Sequence, residues 1–245
     1  MTAWRFWVRD EQAYDVEVEM PRLASWMGKT HPDQVRLTTY LKDLIQRLSP
    51  LPAGPRPLFL HMEIGVSDAR RLLTHNDLEN YLTPLFGVRW LDPIRFVFVS
   101  ATKRVGGASR IAIGYVAGPM SDALSGWCSF STLLDGGLTE KRRKLALRDE
   151  LAKGVQPLQP GPVEVRLAWR CSSRRNWTSL WKPTGDTMGP VLGTTRDAGF
   201  NPQDDRIVSL ALHREIDDAL GNSVHLGMWW PSQGTVSLKS LLLSD

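Results

Sequence analysis

Only two of the 245 residues are cysteine, Cys128 and Cys171. Two thiols build neither a disulfide framework nor a cysteine-based zinc site, and each is expected to be a small buried apolar side chain. No apolar run approaches the ~20 residues that a membrane-spanning helix needs. The stretch from Met1 to Asp15 carries Trp4, Trp7 and several charges where a secretory signal would have an apolar run followed by small residues. The histidines (His31, His61, His75, His213 and His225) are scattered, with no HExxH pattern and no helical pair suited to zinc. His61 is expected to be packed or solvent-facing, whereas His75, beside Asp77, could touch a phosphate or act as an acid. Gly106-Gly107 and Gly185 form no Walker loop and no GxGxxG, and Ser125 and Ser129 lack the setting of a serine nucleophile. A cytoplasmic protein with no membrane partner is the expectation.

Charge is present without being extreme. The formal net charge is +4, which alone says little about nucleic acid. Its distribution says more, because Thr139 to Arg175 holds ten bases against four acids. Leu145, Leu147 and Leu151 interleave with those bases at near-helical spacing, so the stretch is a helix rather than a tail. Its basic face is either solvated or in contact with phosphate. Ten tryptophans are also many. Trp177, Trp181, Trp229 and Trp230 suit core or interface packing, with base stacking as the alternative.

The chain repeats itself. Residues Gln34 to Leu48 have the apolar spacing of an amphipathic helix. A Pro-rich linker, residues 49–55, leads to an alternating strand, Leu58 to Val66. The same order recurs in a helix from Thr139 to Gly154, with Thr139 as candidate N-cap, a linker at 156–162 and a strand from Val163 to Arg170. Each copy continues into an arginine pair, Arg70-Arg71 and Arg174-Arg175, then a short helix containing Thr83-Pro84-Leu85-Phe86-Gly87 or Gly189-Pro190-Val191-Leu192-Gly193. An acidic turn follows, Leu91-Asp92-Pro93 or Gln203-Asp204-Asp205. Each copy closes with two strand-like runs around glycine, Ile94–Thr102 with Ser109–Val116 and Arg206–His213 with Ser223–Trp230, which read as hairpins. The copies span roughly 15–118 and 135–232. The expected fold class is α+β: two α/β units of helix, strand, short helix and β-hairpin, packed as an intrachain pseudo-dimer. Unit one takes residues 1–118 with an N-terminal strand or arm, 119–137 form a connection, and unit two takes 138–245.

Copy one gathers acids at its short helix. Asp77 and Glu79 open it, and Asp92 lies on the turn behind it, far enough along for the chain to go out and return. Three converging carboxylates repel one another unless a cation sits among them. Oxygen-only donors suit Mg²⁺, or Mn²⁺ in its place, and such an ion binds phosphate and activates water. Helix capping by Asp77 and ordinary turn chemistry at Asp92 are the alternative.

Asp77-Leu78-Glu79-Asn80, the turn Trp90-Leu91-Asp92 and the strand Phe96 to Arg104 together resemble the RusA family of Holliday junction resolvases. Members show Asp-x-Asp-Asn opening a helix, a Lys three residues on, an Asp four after that, and a Trp-x-Asp-Asp-like turn followed by a hairpin ending in basic residues. Copy one departs from the pattern with Glu79 for the second Asp, Thr83 for the Lys and Pro93 for the second turn Asp. Copy two departs oppositely. Asn176-Trp177-Thr178-Ser179 stands for the opening motif, while Lys182, Asp186 and Asp204-Asp205 match the later positions.

The resemblance implies a DNA-binding, Mg²⁺-dependent, structure-selective endodeoxyribonuclease of symmetric-dimer type, with the dimer supplied within one chain. Asp77, Glu79 and Asp92 would hold metal, joined by Asp204 and Asp205 if copy two acts. Lys182 would steady the phosphate, and Arg70, Arg71, Lys103, Arg104, Arg174 and Arg175 would position the branched or duplex DNA backbone. The alternatives are a degraded pseudo-nuclease that binds DNA or a partner protein without cutting, and a structural subunit of a nucleic-acid or anti-phage assembly.

Overall fold

Strand alternation organises the molecule. In the computed structural model, residues 4–19, 28, 30–49, 51–69, 71–74, 77–87, 91–120, 126–195 and 201–232 are described. Strand β2 (Leu58–Val66) buries Leu58, Leu60, Met62, Ile64 and Val66 and leaves His61, Glu63 and Gly65 partly exposed. It pairs in parallel with β3 (Phe96–Val105) and antiparallel with β4 (Ser109–Met120). Parallel neighbours need a long crossover, here supplied by α2 (Arg71–Thr74) and α3 (Leu78–Gly87). The C-terminal half has the same order. Strand β6 (Val163–Cys171) pairs in parallel with β7 (Ile207–Ile216) and antiparallel with β8 (Val224–Pro231). A 3₁₀ turn at Trp177–Leu180, α5 (Trp181–Gly185) and α6 (Gly189–Leu192) form its crossover.

The two triplets join edge to edge through antiparallel β3 and β7. With β1 (Phe6–Val18) on β4 and β5 (Trp127–Leu134) on β8, the result is one mixed sheet of eight strands, ordered β1-β4-β2-β3-β7-β6-β8-β5. The small sheets expected for separate units are thus one sheet. Even the irregularities agree: β2 slips against β3 between Leu58 and Phe59, and β6 slips against β7 between Val163 and Glu164.

The expected hairpins are corrected. Strands β3 and β4 do not pair, because β2 lies between them, and β6 likewise separates β7 from β8. Alternation with a glycine loop identifies two strands but cannot say whether a third passes between them. The Gly106-Gly107 turn instead crosses the end of β2. Gly106 N–H donates to Val66 O at 2.8 Å, and both glycines hold φ of +74°, a region that favours glycine.

The connection at 119–137 is corrected as well, since it contains the end of β4 and all of β5. No β5 residue is fully buried, although Phe130 and Leu134 pack partly against the core. Cys128 lies on this strand and is exposed, contrary to expectation, whereas Cys171 is buried. The expected first arm is β1.

Helix α1 (Pro32–Arg47) buries Leu37, Leu41 and Leu44, and α4 (Lys141–Ala152) buries Leu147 and Leu151. Glu140 rather than Thr139 occupies the N-cap of α4. These residues join one large cluster with Leu60, Met62, Ile64, Val165, Leu167 and Leu212. Two smaller clusters lie apart from it, Phe59, Val97 and Val116 in one and Phe6, Ala168 and Trp229 in the other, drawn mostly from the opposite strand parity. The helices therefore cover one sheet face. The start of β1 reaches over the opposite face, where Trp7 Nε1 donates to Arg214 O at 2.7 Å. Trp177 and Trp181 pack edge to face within the large cluster, with ring centroids 5.0 Å apart, and Trp229 and Trp230 are buried too. Packing, not base stacking, accounts for these four.

A Cβ at Gly65 would lie 2.4 Å from Gly107 O. Gly65→Ala is therefore expected to cost about 1–3 kcal/mol, as overpacking does, read as a lower urea midpoint at unchanged slope. An unchanged midpoint would mean that the loop does not cross β2 this closely.

Candidate metal centre

The site forms where the crossover of one half meets the turn of the other. Asp77 immediately precedes α3, and its Oδ2 accepts a hydrogen bond from Asn80 Nδ2 at 2.9 Å. Glu79 sits in the first turn of α3 and is 5% exposed. An acid there suits the positive end of a helix, but burial this deep needs a partner. Helix α3 packs on both β3 and β7, and α2 packs on the 3₁₀ turn Asp204–Arg206 that leads into β7. That packing sets Asp77 and Glu79 beside Asp204. One carboxylate oxygen from each of the three lies within 4.8 Å of the others.

Lys182, on α5, reaches into this group. Its Nζ stands 3.0 Å from Glu79 Oε1, 3.3 Å from Asp186 Oδ1, 3.4 Å from Asp204 Oδ2 and 3.5 Å from Asp77 Oδ2. Asp186 also receives Lys144 Nζ of α4 at 3.1 Å. Despite the close ammonium, Glu79 Oε1 is buried without a hydrogen bond of acceptable geometry.

The electrostatics follow from crowding. Burial pushes the Glu79 carboxyl above its ordinary range, and Lys182 only partly opposes this. Asp204 is pushed up by burial first, then by the charges of Asp77 and Glu79. Burial disfavours the Lys182 ammonium, but Glu79, Asp204 and Asp186 outweigh it and raise the pKa. Lys103 of β3 is pulled down to about 8 by burial, although Asp77, Asp205, Asp204 and Glu79 act against that. Without a further cation, the cluster is an acid-rich site under strain. Three oxygen donors at this spacing could hold a metal ion.

The structure sorts the expected residues. Asp77, Glu79, Lys182 and Asp204 come together. Asp92 does not join them: it is exposed, and its Oδ1 accepts Ile94 N–H at 2.9 Å, the turn chemistry held open as the alternative. Asp205 stays outside the close group of three, although its backbone oxygen accepts Lys103 Nζ at 2.6 Å. Lys103 was expected on the DNA and is instead 1% exposed, a charged group facing the site. Its strand parity, shared with buried Val99 and Ala101, was the signal for this.

The other proposed backbone contacts are spread out. Arg104 pairs with Glu63 at 2.9 Å, and Arg71 approaches Asp68 at 3.7 Å. Arg175 donates to Asn222 O at 3.0 Å, and Arg174 is exposed. Arg70, His75 and Trp90 lie outside the described residues. His61 is a packed histidine, with Nδ1 2.8 Å from Ser100 Oγ and a pKa lowered to about 4 by burial and then by Arg9. Sequence reasoning gave no role to Lys144 or to its bond with Asp186, because a lysine in a basic helix carries no mark of its partner.

Compared with known proteins, the chain matches no protein-family model and no curated protein.

The raised pKa of Asp204 has a stability consequence. A carboxyl whose folded pKa exceeds its unfolded one contributes stability below the unfolded value and loses it as pH rises through the folded one. In chelator, Asp204→Asn is expected to stabilise the protein by about 1–3 kcal/mol at neutral pH. The melting temperature should rise by about 2–4 °C per kcal/mol, with the gain shrinking toward acid pH. Lys182→Met should act oppositely. A melting temperature that falls in Asp204→Asn would refute this account.

Proposed function

We propose that this chain is a Mg²⁺-dependent endodeoxyribonuclease of the RusA type that acts on branched DNA as an intrachain pseudo-dimer. One observation carries the reading. Each half of the sequence holds part of the motif, and the parts meet: Asp77 and Glu79 from the first half with Lys182 and Asp204 from the second. Chance divergence of two copies has no reason to leave complementary remnants at one point in space.

The pseudo-dimer has independent support. Lys103 on β3 donates to Asp205 O, and Arg214 on β7 donates to Ile94 O at 3.3 Å. Each base thus reaches across the β3–β7 seam to the turn that precedes the opposite strand. The matched strand slips and the mirrored sheet order point the same way.

Asp77, Glu79 and Asp204 would hold the divalent ion, which supplies an activated water and charge neutralisation on the scissile phosphate. Lys182 would place positive charge beside the non-bridging oxygens, where it counts most as charge builds up. Asp186, itself tied to Lys144, keeps the Lys182 ammonium in position. Exposed Arg71 and Arg174 are candidates for backbone contact.

A second reading draws on Lys182 itself. Its ammonium already lies within 3.5 Å of four carboxylates, as an internal cation would in a pseudo-nuclease that binds DNA without cutting. The two readings separate on four-way junction, fork, duplex and single-stranded DNA assayed with Mg²⁺, Mn²⁺ or chelator. A nuclease should cut only with metal, and Asp77→Asn or Glu79→Gln should reduce the rate by at least about 100-fold, with Lys182→Ala down by about 10²–10³-fold. Tight binding in chelator with no cleavage in any metal would instead establish the pseudo-nuclease.

A further inference from the structure

The seam contacts define which segments correspond between the halves. Lys103 answers to Arg214, and the turn at Asp204-Asp205 answers to the turn at Asp92–Ile94. The opening motif Asp77–Glu79 answers to Asn176–Thr178. The second pair of segments also meets across the seam, where Trp177 Nε1 donates to Pro93 O at 2.9 Å. The architecture therefore provides two equivalent places for a metal centre.

We infer that only one of these two places is competent, so that the chain opens a single strand of a branched DNA per binding event. This rests on the nuclease reading above. The second place has lost its donors. Asn176 Oδ1 accepts from Thr178 N–H at 3.2 Å and lies 2.8 Å from Thr178 Oγ1, so it caps its own turn. Thr178 brings no charge. Thr83, which stands where the family pattern has its Lys, donates its hydroxyl to Glu79 O at 2.8 Å. Of the donor positions, the turn alone keeps a carboxylate, Asp92, and it is exposed and engaged with Ile94 N–H.

The cation has changed too. Arg214 is fully buried and donates to the carbonyl oxygens of Ser172, Ser173, Arg175 and Ile94. A guanidinium stays protonated, and the single donor position here that keeps a carboxylate falls short of the several oxygen ligands a divalent ion takes. Among the described residues, Asp77, Glu79 and Asp204 are the one group with metal-binding spacing. Hydrolysis at that site is a single displacement. Water oxygen bonds to phosphorus, one P–O ester bond breaks, and the leaving oxygen takes up the proton that water gives up. The product is a nick, not the paired incisions of a two-site dimer.

The test combines Mn²⁺ titration of the full chain with cleavage of a four-way junction labelled on each strand, using protein that light scattering shows to be monomeric. Asp204→Asn should abolish all saturable Mn²⁺ binding, and Asp92→Asn should leave binding and cutting unchanged. Junctions should carry one nick each. Residual saturable binding in Asp204→Asn, a lower stoichiometry in Asp92→Asn, or paired incisions by the monomer would each overturn the inference. If Mn²⁺ binds as expected but no DNA is cut, the single metal site stands and the nuclease reading fails. If the unsubstituted chain binds no Mn²⁺, both fall.

Discussion

The antiparallel pairing of β3 with β7, from Phe98↔His213 to Thr102↔Ser209, is the constraint on which the rest of the molecule depends. Each triplet of strands alone would expose an open edge and a thin core. Joined, they form a continuous sheet with one large apolar cluster under the helices. The same seam fixes how the two crossovers face each other. Helix α3 lies against both β3 and β7, which puts its first turn over the turn that leads into β7. The candidate site is a consequence of that register. A slip by one residue would turn alternate side chains to the opposite sheet face and carry Lys103 away from Asp205.

The site runs against folding stability. Four carboxylates around one ammonium, with Glu79 and Asp204 almost fully buried, would be replaced by apolar groups if stability alone were at stake. The surrounding core offsets the penalty. Trp169, Trp177 and Trp181 form an edge-to-face run beneath the crossover of the second half, and Phe86 of α3 packs edge to face on both Phe96 and Trp181. Aromatic packing thus clamps α3 and α5 together at the level of the acids. Rigid support of this sort is what a charged centre needs to keep its geometry.

The two seam bases sit in different surroundings. Lys103 faces acids, and burial lowers its pKa to about 8. Arg214 is held by carbonyl partners that make it a structural pin for the chain around Ser172 to Arg175.

The sequence by itself marked the local elements and the order that the two halves share. Apolar spacing marked α1, α4, β2 and β6 to within a few residues, because burial of one face writes its period into the chain. Motif resemblance also pointed to Asp77, Glu79, Lys182 and Asp204, which the structure brings together. What the sequence could not determine was strand order, since β3 and β4 look like a hairpin whether or not β2 lies between them. Nor could it decide which acids meet. Asp92 and Asp204 occupy corresponding turns, and only the packing of α2 and α3 across the β3–β7 seam brings Asp204 to Glu79 and leaves Asp92 in solvent. Local patterns record the periodicity of burial; convergence of residues far apart in the chain is a property of the register between strands, which no local pattern encodes.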